Sequence, residues 1–358
     1  MRNLLFTAII LLLITSCDDG TPDTTTDFDR TDLLINLSDN IILPALNGFK
    51  TSATLVTNQV TTFNTTPDQT NLTALRNAFE EAYLKWQAAA IYEIGPADNI
   101  AYHANINTFP ADADHINSLI QAGSYNLDAI NNYDAKGLAA LDYLLYGLGA
   151  SDNDIIAFFS TDPDKEKYKQ FLSDVANDIL AKTNFVYDAW IGGYDVTFKS
   201  NKGNNIGSSV SILTNAFMQH FENKFRTLKI GLPAGVFSIE EQSFPEEAEA
   251  YYSGISTALI KANFDQLEKT YLGATGVGID DHLIGVDAAS INTEIKDQLN
   301  EIRSKLNLLT DPLSEQVVND RPTVITVYNE IQKLVPTLKA DMFSALSIQI
   351  TYSDTDGD

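Results

Sequence analysis

An all-α fold in two helical halves is what this sequence predicts, and three observations carry that prediction. Apolar residues recur at three- and four-residue steps over long stretches. No series of short alternating segments at regular spacing appears. The stretches that break the helical period are long and rich in Gly, Pro, Asn and Ser.

The elements follow in chain order. Asp32 to Phe63 reads as a long helix, bent or restarted near Pro44. Leu72, Leu75, Phe79, Tyr83 and Trp86 mark the buried stripe of the next helix. Ile94 to Pro110, with Gly95-Pro96 and Phe109-Pro110, is the first long loop. A short helix opens at Gly137. Tyr168, Phe171, Leu172, Val175 and Ile179 define another long stripe. Ile191 to Gly207 is the best boundary between halves, giving 31–195 and 196–358. Leu232 to Pro245 is a second irregular stretch. Ile291, Ile295, Leu299, Ile302 and Leu306 form one late helix. Val324, Tyr328, Ile331, Val335, Leu338, Met342 and Leu346 form the last, with a kink expected at Pro336. Ser347 to Tyr352 reads as extended. The segment Gly137 to Leu145 echoes Gly276 to Ile284: a glycine, then an acid, a ring and two aliphatics. Duplication and chance both explain one such pair.

The N-terminus carries an address. Arg2 precedes a short apolar run from Leu4 to Ile14, followed by Ile14-Thr15-Ser16-Cys17. The run is too short to span a bilayer, which takes about 20 apolar residues, and has the order of a secretory signal over 1–16. Cys17 is the single cysteine of the chain, so no disulfide can form, and lipid attachment gives it a use. The stretch ending in a cysteine resembles the bacterial lipobox. Residues 17–30 then read as the acylated cysteine and a flexible polar tether, and the protein as an outer-membrane lipoprotein of the cell envelope.

Composition narrows the partners. The chain has 358 residues, 23 Lys+Arg against 48 Asp+Glu, and a formal net charge of −25. Such a surface repels phosphate backbones and no basic stripe is present, so nucleic acid is excluded as a partner. At 44% hydrophobic residues the chain can bury a substantial core.

The loops and helix starts, taken in order, resemble those of the imelysin family. The resemblance rests on Trp86 with Glu93-Ile94-Gly95-Pro96-Ala97, on Asn105 to Pro110, on Lys136 to Gly147, and on Lys229 to Phe237. It extends to the closing Ser353 to Asp358. It implies two bundle-like helical halves with a site in the cleft between them. The family was first described as a peptidase and is associated with iron uptake.

At its central motif, Gly-x-His-x-x-Glu, this chain carries Gly137, Ala139 and Asp142. Positions 139 and 142 share a helix face. A histidine and an acid there could grip one metal ion, whereas alanine offers no lone pair. Peptidase chemistry is therefore not expected, and Asp142 is the one residue of this motif left to hold a metal. The resemblance, together with charge and position, makes Trp86, Glu93, Asn107, Pro110, Gly137, Asp142, Tyr143, Glu222, Arg226 and Lys229 the candidate lining of the cleft. Against this, the periodicity places Trp86 in the core, and Asp142 has an equally good reading as a buried polar residue with a local partner.

The ligand stays open between an iron species, haem and peptide, with iron-uptake components as possible partners; haem is disfavoured by the scarcity of His and Met. His103, His115, His220 and His282 form no His-Glu-x-x-His arrangement and read as structural or solvent-facing, His282 being the least settled because it follows a Gly-rich turn. Asp280 and Asp281 read as helix caps. Asp354-x-Asp356-x-Asp358 imitates a calcium loop but ends before its glutamate.

Overall fold

The computed structural model describes residues 28–352. The signal, Cys17 and most of the tether, together with the acidic run after Ser353, lie outside them. The described residues are helical with irregular connections, and no strand occurs among them. None of their helices is long and apolar enough to cross a membrane. Phe28 and Arg30, at the end assigned to the tether, belong to the packed body: the Phe28 ring stacks on His282 at 4.5 Å, and Arg30 is buried.

Helix α1 (Thr31–Asn36) runs into a π-helical segment, Leu37–Ile42, and then α2 (Leu43–Thr65). The restart expected at Pro44 is thus a change of winding. The proline is the second residue of α2, at the joint between the two windings. Helix α3 (Gln69–Ala89) starts where Asp68 accepts the Asn71 N–H at 2.8 Å, and packs antiparallel on α2. Its stripe of Leu72, Leu75, Phe79, Tyr83 and Trp86 is at most 1% exposed. Helix α4 (Gly137–Asp142) is short and wholly buried, and rests on α5 (Lys165–Ala189), which also covers α2.

Beyond Gly193, whose φ of 133° breaks the helical run, and a loop ending at Ser208, the second group of helices begins. A π-helical segment, His220–Gly231, packs with α6 (Ser256–Leu272), and α6 packs on α3 of the first group. Helix α7 (Ala289–Leu306) lies on α8 (Arg321–Pro336). Pro336 ends α8, and the chain winds on as a π-helical segment, Thr337–Met342. At the expected kink the winding changes from α to π directly after the proline, which has no N–H to give the i−4 carbonyl.

The C-terminal segment read as extended forms no strand, because a ladder needs a neighbouring strand and none lies among the described residues. The Asn215 side chain substitutes for one. It donates to the Gln349 carbonyl at 3.0 Å and accepts the Thr351 N–H at 2.7 Å.

The paired glycine segments diverge in structure. Asp281 accepts its own Gly278 N–H at 3.0 Å, a local cap as expected, while Asp280 pairs with Lys296 at 2.7 Å. Asp142, in the earlier segment, bonds instead to residues over a hundred positions later.

Candidate functional site

Helix α4 is placed by two close approaches. Lys136, fully buried, donates to Asn105 Oδ1 at 2.6 Å and to the Leu127 carbonyl at 2.7 Å, and pairs with Asp178 at 2.9 Å. Gly137 then takes φ +74°, and a Cβ there would stand 2.3 Å from the Ile106 carbonyl oxygen. Only glycine suits that backbone and that contact. The approach brings α4 against the turn that carries Asn107 and Pro110.

One turn into α4, Asp142 is 2% exposed. Its Oδ2 accepts the Tyr252 N–H at 2.8 Å and its Oδ1 the Ser253 N–H at 3.0 Å. The carboxyl is pushed up to about 6, first by burial and further by the charge of Glu249, against the pull of these hydrogen bonds. Among the described residues no cation pairs with it.

Glu249 is solvated differently. Its Oε1 accepts from Asn107 Nδ2 at 2.7 Å and Gln87 Nε2 at 3.0 Å, and its Oε2 pairs with Lys229. Tyr83 O–H donates to Asn107 Oδ1 at 2.7 Å. Asn263 donates to the Gln87 carbonyl at 2.7 Å and meets His220 Nε2 at 3.0 Å. This buried polar chain joins α3, the Asn107 turn, the π-helical segment and α6. Burial lowers the Lys229 ammonium, opposed by Glu249, and raises the Tyr83 phenol well above its ordinary value.

Beside Asp142 lies a cavity of about 190 Å³. Ala139 and Asp142 contribute from α4, Phe109 and Pro110 from the turn, and Glu246, Tyr251 and Tyr252 from the second group. The Tyr252 ring also packs, tilted by 58°, against Tyr143 at 5.2 Å, and the Tyr143 hydroxyl accepts from Asn117 at 2.7 Å.

The sequence-predicted residues therefore divide. Asp142 and Pro110 line the cavity. Asn107 and Lys229 meet at Glu249, Gly137 sets the helix, and Tyr143 backs Tyr252. Trp86 is core, packed against Phe49, Tyr102 and His103. Glu93 accepts the His103 N–H at 3.0 Å, and its carboxyl is raised by burial. Glu222 and Arg226 belong elsewhere: Glu222 accepts from Tyr352 O–H at 3.0 Å, and Arg226 bonds to Gln332 and faces the Tyr328 ring at 5.8 Å. They are C-terminal ties and not cavity lining, because the π winding turns them away from the face that carries Lys229. His103 and His220 are buried, and burial holds both imidazoles below their ordinary value, His220 at about 3.

Glu249, Gln87, Asn263, Glu246 and Tyr252 were missed by sequence reasoning. Glu249 stands in the acidic stretch Glu246-Glu247-Ala248-Glu249, which reads as a solvated loop; the two flanking alanines were its only sign of burial.

A metal ion of the kind the family motif suggests finds a poor donor set here. Ala139 presents a methyl, so Asp142 has no partner ligand on its helix, and Glu249 is engaged by Lys229 and two amides. No group of three His, Cys, Asp or Glu able to hold a metal occurs among the described residues.

The fold and this motif define an imelysin-type protein, and the comparisons agree. The family model of imelysin matches residues 42–339, so the chain belongs to the imelysin family. Its fold is shared with a crystal structure from Parabacteroides distasonis described as an iron-regulated protein A precursor. The two are 16% identical, with a TM-score of 0.73 over 88% of this chain and 95% of that one. An imelysin-like protein from Psychrobacter arcticum is similar at 16% identity and a TM-score of 0.70, over 90% of this chain and 97% of that one. No curated protein matches the sequence.

Proposed function

We propose that this chain is a non-catalytic binding component of the bacterial cell envelope, serving iron acquisition and tethered to the outer membrane through a lipid on Cys17. The observation that carries the reading is the Ala139 methyl in the cavity wall beside Asp142. A hydrolase needs a group there that coordinates or moves protons, and a methyl does neither. The signal-like N-terminus supports export, and the description of the Parabacteroides protein as iron-regulated supports the link to iron. Residues 31–195 and 196–358 act as two halves, with the cavity drawing residues from both.

The test is twofold. The mature chain should hydrolyse no peptide or protein substrate with or without added divalent metal. A strain lacking it should grow more slowly under iron starvation and normally in iron-replete medium. Equal growth in both media sinks the iron role.

A second reading, metal-dependent peptidase, draws on one observation: a carboxyl raised to about 6 is suited to proton transfer near neutral pH. It requires hydrolysis that Asp142→Ala abolishes.

A further inference from the structure

The geometry points to an organic cation, a guanidinium or alkylammonium head, as the occupant of the cavity between Asp142 and the Tyr251–Tyr252 wall. This rests on the binding reading above and names its ligand class.

The lining is the first argument. Two carboxylates, Asp142 and Glu246, face three aromatic rings, Phe109, Tyr251 and Tyr252, and no Lys, Arg or His lines the space. Lys229 already stands 5.9 Å from the Phe109 ring, so the Tyr251 and Tyr252 rings with the two carboxylates supply the recognition chemistry of a cation with an apolar stem. The ring faces attract the charge while the carboxylate fixes it. Asp142 is buried and Glu246 is exposed, so one acid stands inside and the other at the rim.

Bonding capacity is the second. An ionised carboxylate has about four acceptor sites. Two of those on Asp142 hold the Tyr252 and Ser253 N–H groups, one on each oxygen. The Ser253 side chain is a further donor to this carboxyl, and the capacity that remains suits an N–H donor. It does not suit a bare metal ion, which would need several further donors that Ala139, Ala248 and Ala250 do not supply.

Size is the third. About 190 Å³ falls below the roughly 300–1,000 Å³ typical of clefts for drug-sized ligands. It takes a side-chain-sized head and excludes a porphyrin. A groove of about 550 Å³, lined by Tyr251, Tyr252, Ser253, Pro312 and Val318, lies beside the same wall and can receive the rest of a longer molecule. The net charge of −25 draws cations towards both.

Isothermal titration of the mature chain with arginine amide, and with its uncharged isostere citrulline amide, tests the assignment. Arginine amide is expected to bind and citrulline amide to bind at least tenfold more weakly. Asp142→Asn should lower arginine amide affinity at least tenfold; Glu246→Gln should lower it several-fold and reduce its salt dependence. Ala139→Leu fills the cavity from α4 while keeping the acid, and should abolish binding with an intact melting transition; it decides the matter if Asp142→Asn fails to fold. An arginine-containing tripeptide that binds more tightly than arginine amide places the remainder of the ligand in the groove, while equal binding assigns a free small cation. Equal binding of both amides, or retained binding in Ala139→Leu, overturns the inference. Should a ferric chelate bind where arginine amide does not, the ligand class is wrong while the binding reading stands. Peptide hydrolysis lost in Asp142→Ala would instead remove the binding reading itself.

Discussion

Asp142 and Glu249 are both buried acids, yet they are accommodated in opposite ways. Glu249 has an ammonium, two side-chain amides and a place at the junction of four elements. Asp142 has two backbone N–H groups and an opening onto a cavity. A buried charge with a full set of partners is a fixed part of the frame, costly to disturb and closed to ligands. One held by backbone N–H groups and a serine side chain, with no counter-charge, keeps an elevated pKa and is available to a cation that enters. The lesson is that burial alone does not mark a functional acid; what matters is whether its counter-charge is already built in.

That contrast can be broken experimentally, and the largest effect should come from the frame. Glu249→Ala leaves the Lys229 ammonium buried without its partner and should cost about 3–5 kcal/mol in denaturant unfolding. Adding Lys229→Met to it should recover part of the loss. A cost below about 1 kcal/mol for the single variant would mean that Glu249 is not the pin of this junction.

The second effect is specific to Asp142 and has a sign. Its folded pKa, about 6, is above the ordinary 3.8, so below pH 3.8 its contribution to stability is fully present. That contribution is lost as pH rises through about 6, on the order of 3 kcal/mol for a shift of this size. The buried His103 and His220 act oppositely, since their folded values lie below 6.5 and acid removes their stability. Only the difference between wild type and Asp142→Asn isolates the aspartate. The stability of wild type relative to the variant should fall between pH 4 and 6 and level off above. A pH-independent difference would show that Asp142 is not ionised at a cost.

Gly137→Ala should follow, at about 1–3 kcal/mol from backbone strain, with more from the contact at Ile106. It should move α4 and weaken any ligand held at Asp142, while leaving the Glu249 junction intact. Tyr83→Phe should be smallest, about 1 kcal/mol, through the lost hydrogen bond to Asn107.

The same contrast explains what the sequence made legible. Helical stripes repeat locally, so α2, α3, α5, α7 and α8 could be read from spacing, including the burial of Trp86. Family resemblance and the departure at Ala139 led to Asp142, Pro110, Asn107 and Lys229. Glu249 had no such guide: its partners come from α3, the Asn107 turn and the π-helical segment, and no periodicity relates them. Glu222 and Arg226 look equivalent to Lys229 when spaced on an α-helix; π winding separates them. The two glycine-opened segments look alike in sequence, yet one acid caps its own helix and the other reaches across the chain. Long-range pairing of this kind is a property of packing, not of pattern.

The central claim is that a methyl at position 139 deprives Asp142 of a partner for metal. Zinc and ferrous ion titrated by calorimetry into the metal-free mature chain, in parallel with Ala139→His, would test it most directly. The account predicts no binding at wild-type Asp142 and a gain in affinity, dependent on Asp142, once the imidazole is present. Stoichiometric binding to wild type that Asp142→Asn abolishes would contradict it.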